Sequence, residues 1–84
     1  MGEYANVKIK KLLNFIKRLV SHNKDLQLVQ GGRHNYLVKY PFWSRPFPIP
    51  FKQRIVSKFI VKDLKEALVK DNICTEEEFD NEFK

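Results

Sequence analysis

Apolar residues recur every three or four positions near the start of the chain. They are Ile9, Leu12, Leu13, Ile16, Leu19 and Val20, and basic residues lie between them. This spacing brings the apolar side chains onto one face of a helix, so it predicts an amphipathic helix over residues 7–21. Asn6 is the expected N-cap residue, because its side-chain oxygen accepts hydrogen bonds from free amides of the first turn.

The pattern changes from helical to alternating after this first helix. Residues 25–30 alternate polar and apolar side chains, and residues 35–40 resume an extended pattern. Between them, Gly31 and Gly32 supply the positive φ that a tight reversal needs. We therefore expect a β-hairpin.

A third extended segment follows the hairpin. Residues 47–51 contain Pro48 and Pro50, which cannot donate hydrogen bonds to a ladder. We expect this strand to lie at an edge of the sheet or to be bulged.

The last third of the chain returns to helical spacing. Apolar positions predict a second helix over residues 61–71, and its start is left open, with Ser57 as an earlier alternative. Thr75 and Glu78 form a capping-box pattern, so a short final helix is expected over residues 76–83.

The order of helix, three strands and helix predicts the α+β class. We expect a two-layer α-β-β-β-α sandwich, with an antiparallel three-stranded sheet and the helices on one face. This architecture resembles that of double-stranded-RNA-binding domains. Because the chain has only 84 residues, of which 43% are hydrophobic, it is expected to form a single domain, 1–84.

Charge is distributed unevenly along the chain. Residues 1–71 contain 15 Lys and Arg against 5 Asp and Glu, whereas residues 72–84 contain 1 against 5. A strongly basic body favours nucleic acid or another anionic partner. The alternative is that the lysines serve solubility alone.

The cysteine and hydropathy patterns limit which kinds of protein this chain can be. Cys74 is the only cysteine, so no intramolecular disulfide is expected, and we read it as a small buried apolar residue. No cluster has metal-ligand spacing, so neither a metal nor another cofactor is expected. The absence of a signal-peptide pattern or a membrane span favours the cytoplasm, with the mature chain as the whole chain.

His34 is the strongest candidate for chemistry. It follows the glycine turn in a segment that also contains Arg33 and Lys39. Its unperturbed pKa lies near 6.5, so acid and base forms coexist near neutral pH. The expected phosphate contacts are the cations closest to it in the strands and loops: Arg33, Lys39, Lys52, Arg54 and Lys58. Lys10, Lys11, Lys17 and Arg18 are candidates for a second basic face on the first helix.

Several segments, in order, resemble the HicA family of toxins from toxin–antitoxin systems. They are the helix 7–20, the strand, glycine turn and histidine of 28–34, the Pro48-Ile49-Pro50 strand, the helix core 64–68 and the segment 75–79. The likeness extends over nearly the whole chain. The family usually has a small residue where this chain has Arg33, and commonly a second histidine where this chain has residues 51–54.

The resemblance implies an endoribonuclease that cleaves mRNA without a metal. His34 would be its catalytic residue, and a HicB-like antitoxin protein would neutralise it. A general base takes the proton of the ribose 2′-hydroxyl, and cations stabilise the charged phosphorus centre. The proton for the leaving 5′-oxygen would come from water or a lysine.

Two other functions stay open at this stage. The domain could bind RNA without cleaving it, with His34 as a contact residue, or it could be a basic interaction domain for an acidic protein. His22 is interpreted as a cation that favours the C-terminal end of the first helix. Most aromatic residues of the 36–47 segment are expected in the core, whereas Trp43 is expected to be exposed and to contact a partner.

Overall fold

The computed structural model describes residues 4–32, 35–50 and 54–83, which form three helices and three strands. The elements in chain order are α1 (Ile9–His22), β1 (Gln27–Gly31), β2 (Asn35–Lys39), β3 (Phe47–Pro50), α2 (Lys58–Lys70) and α3 (Glu76–Phe83). The expected α+β class and the order of the elements are confirmed.

The start of α1 is fixed by a contact with a distant part of the chain. The backbone N–H of Ile9 donates to the carbonyl oxygen of Arg54 at 2.8 Å, beside an isolated antiparallel bridge between Lys8 and Ile55. Lys8 occupies the N-cap position, and its side chain makes no capping bond. The prediction of Asn6 as the N-cap was wrong because this tertiary pairing, rather than a local side chain, satisfies the first-turn amide.

The three strands form one antiparallel sheet in the order β1-β2-β3. Leu28 lies opposite Val38, which in turn lies opposite Phe47. β3 is therefore an edge strand, as its two prolines predicted.

The described helices cover one face of the sheet. Val38 and Ile49 are fully buried in the same core as α1, α2 and α3, and Leu28, Tyr36 and Phe47 pack against that core. All five residues share one face, since directly opposed residues of an antiparallel pair project to the same side. The alternate residues project to the other face, and none of them belongs to this core: Gln27, Val29, Gly31, Asn35, Leu37, Lys39, Pro48 and Pro50.

Side-chain caps explain where α2 and α3 begin. The Ser57 hydroxyl accepts from the N–H of Phe59 at 3.3 Å, so α2 starts at Lys58, at the earlier of the two alternatives. For α3, Thr75 Oγ1 accepts from the N–H of Glu78 at 3.0 Å, and the Glu78 carboxylate accepts from the N–H of Thr75 at 3.2 Å. This reciprocal pair is the predicted capping box.

An aromatic cluster attaches α3 to the rest of the molecule. Phe79 is fully buried, and its ring meets Tyr4 and Phe15 edge-on at centroid distances of 5.7 and 5.5 Å. Phe83 lies 4.8 Å from Phe79 and 5.1 Å from Phe15. Burial and edge-to-face contacts both favour this packing, so α3 is part of the core despite its acidic surface.

Replacing Phe79 by alanine should strongly destabilise the protein. The change leaves a cavity among Tyr4 and Phe15, and such substitutions typically cost about 3–5 kcal/mol. The free energy of unfolding, measured by urea titration, is the test. Phe42, whose side chain is 78% exposed, supplies the control, and Phe42→Ala should change stability by less than about 0.5 kcal/mol. Equal effects at the two positions would contradict this packing.

Cys74 is a buried apolar residue, as expected from the sequence. It is 5% exposed, and burial, with the nearby charge of Glu78, raises its thiol pKa from 9.0 to about 11. The native state therefore disfavours the thiolate. This contribution to stability is complete below pH 9 and is lost as the pH rises towards 11.

Native Cys74 should react slowly with iodoacetamide at pH 8. The shifted pKa lowers the thiolate fraction about 100-fold, and burial restricts access further. Mass spectrometry over time gives the rate, and the same reaction in concentrated urea gives the rate of the unfolded chain. Similar rates in the two conditions would show that the thiol is accessible in the native protein.

Candidate functional site

The turn between β1 and β2 carries the predicted site. Gly31 ends β1 opposite Asn35, and Gly32 has a φ of +73°, which a residue with a side chain adopts only with strain. Arg33 and His34 connect Gly32 to Asn35 in the sequence, and both lie outside the described residues. The pairing of Gly31 with Asn35 thus fixes the two strand ends that the segment containing His34 connects.

Gly31 has a separate role from Gly32. A Cβ atom at position 31 would lie 2.5 Å from Cγ and Cδ1 of Leu37, so the leucine side chain occupies the space over this glycine. The sequence predicted one function for the glycine pair, a reversal. The structure gives the positive φ to Gly32 and the close approach of a neighbouring side chain to Gly31.

The end of β3 lies beside the same strand ends. Pro50 pairs with Asn35, the first residue of β2. Lys52 follows two positions later and lies outside the described residues. Arg54 follows Pro50 by four positions, so it is within about 14 Å of chain from this end of the sheet.

Exposed cations from different elements gather after β3. Arg54 is exposed, and its carbonyl is bonded to the start of α1, which also brings Lys8 into this region. Lys58, the first residue of α2, is exposed as well, and its Nζ lies 5.4 Å from the ring centroid of Phe59. Among the described residues, no carboxylate forms a salt bridge with Lys8, Arg54 or Lys58.

Lys39 lies at the end of β2 opposite the glycine turn. It pairs with Gln27 at the opposite end of β2 from Asn35, about 13 Å along the strand. There it borders a shallow groove with Asp25 and Tyr40. Of the predicted phosphate contacts that the structure describes, Arg54 and Lys58 lie in the part of the chain that follows β3, and Lys39 lies at the end of β2 opposite the glycine turn.

The second basic face on α1 is only partly available. Arg18 forms a salt bridge with Glu82, and Lys11 Nζ lies 5.9 Å from the ring centroid of Phe83. Lys10 and Lys17 are exposed, and no salt bridge joins either of them to another described residue. His22 is the last residue of α1, so its predicted position at the end of the first helix is confirmed.

A groove surrounds Lys65, but it is a structural site. It has a volume of about 420 Å³ and is lined in part by Tyr4, Lys65 and Glu76. Lys65 Nζ donates to Glu76 at 3.0 Å and lies 3.1 Å from an Asp80 oxygen. Burial acts to lower the pKa of Lys65, but its bonds to Tyr4, Glu76 and Asp80 outweigh burial and raise that pKa. The Lys65 ammonium is thus already neutralised.

The aromatic residues of the 36–47 segment mostly pack against the core. Tyr36, Tyr40 and Phe47 do so, as expected. Trp43 also packs there, and its Nε1 donates to a carboxylate oxygen of Asp71. The expectation that Trp43 is the exposed ring was wrong, because its indole N–H has a partner at the end of α2. Its neighbour Phe42 is the exposed residue.

Sequence reasoning missed a second exposed ring. Phe59 is 67% exposed at the start of α2. A signal for this was present, because the buried residues of α2 are Val61, Leu64 and Leu68, and Phe59 does not fall on their helical stripe. Because the sequence pattern leaves the start of α2 undecided, Phe59 was not compared with the buried positions of the helix.

Neither a metal site nor a membrane-crossing helix is found among the described residues. Residues 4–32, 35–50 and 54–83 contain no group of three or more His, Cys, Asp or Glu that could hold a metal ion. None of the described helices is both long and apolar enough to cross a membrane.

Comparison of the chain with protein-family models, curated proteins and solved structures found no match in any of the three.

Proposed function

We propose that this chain is a HicA-like toxin, an endoribonuclease that cleaves mRNA and uses His34 as its general base. The observation that carries the proposal is the position of the glycine turn. The turn attaches His34 directly to β2, at the end of the sheet from which the chain continues to Arg54 and Lys58. The order of elements supports a fold of the double-stranded-RNA-binding type.

Arg54 and Lys58, which form no salt bridge with a described carboxylate, supply the electrostatic part of the proposal. Arg54 and Lys58 are exposed, and the acidic residues of α3 form their salt bridges with Lys65 and Arg18 instead. Phosphates of a bound RNA would therefore meet cations that no described carboxylate already neutralises. Arg33 and Lys52 would add contacts close to His34, and Lys39 would contact the RNA farther along β2.

The reaction needs no metal, because its nucleophile is part of the substrate. His34 takes the proton from a ribose 2′-hydroxyl, and that oxygen attacks the adjacent phosphorus atom. The bond to the 5′-oxygen breaks, leaving a 2′,3′-cyclic phosphate and a 5′-hydroxyl that gains a proton from water or a lysine. Cations close to the phosphate stabilise its additional charge during the reaction.

A toxin of this kind acts in the cytoplasm, where mRNA is translated, and needs an inhibitor. In this proposal the inhibitor is a HicB-like antitoxin protein. The alternative is a non-catalytic RNA-binding module of the same fold. The exposed cations favour RNA binding in both cases, so cleavage separates the two functions.

Replacing His34 by alanine should abolish RNA cleavage. Positioned proton transfer typically contributes about 10²–10⁴-fold, so the cleavage rate should fall by at least 100-fold. The measurement uses purified protein and end-labelled single-stranded RNA, with products tested for a 2′,3′-cyclic phosphate. In cells, the same change should relieve growth arrest and preserve mRNA.

His22→Ala is the matched control, because His22 is the other histidine and lies at the exposed end of α1. It should cleave within about twofold of the wild-type rate, as expected of a surface substitution away from the site. Salt-sensitive RNA binding without cleavage by the wild type would favour the non-catalytic module. Equal cleavage by wild type and His34→Ala would refute the assignment of the base.

Removing Arg54 or Lys58 should weaken RNA binding and reduce its salt dependence. For single-stranded nucleic acid, each phosphate contact contributes about 0.7 to the slope of log affinity against log salt. Binding is measured with His34→Ala as the background, so that the RNA stays intact. Arg18→Ala is the control, because Arg18 already pairs with Glu82, and it should leave the slope unchanged. A slope insensitive to positions 54 and 58 would exclude them from the interface.

A further inference from the structure

The two edges of the sheet differ in what they offer to another strand. At the β3 edge, Pro48 and Pro50 have no N–H, so the donors of β3 are Phe47 and Ile49. Alternate residues of a strand direct their N–H groups to opposite sides. Since Phe47 and Ile49 donate towards β2, the outward positions of β3 are the two prolines. This edge presents no N–H group to a further strand.

The same alternation leaves donors free at the β1 edge. Residues 36 and 38 direct their backbone groups to β3, so residues 35, 37 and 39 bond to β1. Their partners are Gly31, Val29 and Gln27, and the backbone groups of Leu28 and Gln30 therefore point outward. No turn or loop backbone bond between described residues uses Leu28 or Gln30.

The side chains of β1 do nothing to block this edge. Edge strands in soluble proteins are usually protected by charged residues, prolines or bulges. The first four residues of β1 are Gln27, Leu28, Val29 and Gln30, which carry no charge and include no proline. The protection present on β3 is absent from β1, although the protein as a whole carries a net charge of +6.

The sheet face that points away from the described helices adds an apolar row that ends at this edge. Val29, Leu37 and Pro48 lie directly opposite one another across β1, β2 and β3. None of the three belongs to the core or packs against it; Pro48 is exposed, and Val29 and Leu37 are partly buried. The row runs from Pro48 on the β3 edge, which has no outward N–H group, to Val29 on the β1 edge, which has outward N–H groups.

We propose that β1 pairs antiparallel with β1 of a second copy of this chain, forming a continuous six-stranded sheet about a two-fold axis. In this register Leu28 bonds to Gln30 of the second copy, and Gln30 to its Leu28. Val29 then faces Val29 of the second copy in a close, non-hydrogen-bonded pair. The two apolar rows join into one row of six side chains.

The neighbouring registers are less favourable. Pairing Leu28 with itself would pair Gln30 with Leu26, whose N–H already donates to Asn23 at 3.2 Å. Pairing Gln30 with itself would place Leu28 opposite Gly32, whose positive φ takes it out of the strand. Only the register centred on Val29 uses all the outward backbone groups of both strands.

A second copy fits this edge better than an acidic partner does. The uncharged side chains of β1 offer no salt bridge to an acidic strand, whereas they bring no like charges together when two copies pair. The interface is also isologous, which is the common arrangement in dimers. Because each copy carries a net charge of +6, added salt should strengthen the dimer by screening repulsion between the copies.

Cysteine cross-linking tests the register. In a Cys74→Ala background, Val29→Cys should form a disulfide-linked dimer under mild oxidation, because facing residues of such a pair lie within disulfide distance. Leu37→Cys, on the same face and one strand farther from the axis, should stay monomeric. Equal cross-linking at the two positions would overturn the proposed register.

Sedimentation equilibrium tests the edge itself. Gln30→Pro removes an outward N–H without removing a ladder bond of the native sheet, so it should give a monomer, whereas Gln30→Ala should stay dimeric. The urea midpoint of the dilute monomer shows whether Gln30→Pro still folds, and Leu28→Pro provides a second blocked edge. A wild-type protein that is monomeric at all attainable concentrations and salts would refute the proposal, as would a β1 edge that binds only a different protein. Neither measurement depends on RNA cleavage.

Discussion

The described helices pack on one side of a three-stranded sheet, so the sheet buries one face against them, and this constraint organises the molecule. Val38 and Ile49 fill the covered face at 0% exposure, against helix residues such as Leu12 and Leu64. The alternation of side chains then requires Val29 and Leu37 to project away from that core. The apolar row on the second face is therefore a consequence of the packing that stabilises the fold.

The acidic α3 helix contributes apolar packing and selective neutralisation. Phe79 fixes it beside Phe15, and its carboxylates reach Arg18 and Lys65. The negative charges of α3 thus neutralise Arg18 and Lys65 rather than the basic residues that follow β3. The cations that follow β3 keep their positive potential because the acidic helix is attached to other parts of the molecule. This separation is what allows a small protein with both signs of charge to present a basic surface.

The proposed nuclease depends on backbone geometry as much as on residue type. Gly32 supplies the positive φ, and Gly31 makes room for Leu37, so the pair sets the reversal that leads to His34. The prolines of β3 have a comparable double effect, because they end the sheet on one side and leave β1 as the described edge strand whose N–H groups point outward. The proposed RNA contacts that follow β3 and the proposed dimer edge at β1 thus belong to opposite edge strands of one small sheet.

The sequence by itself determined the elements, because helical and strand periodicities are local and the capping box at Thr75 acts over one turn. It also determined the edge position of β3, since a missing N–H is a property of proline in any context. Only the tertiary structure decided that Lys39 pairs with Gln27, that Trp43 bonds to Asp71, and that α1 begins at Ile9. Those outcomes depend on pairings between residues distant in the chain, and no local pattern encodes which distant group satisfies a given donor.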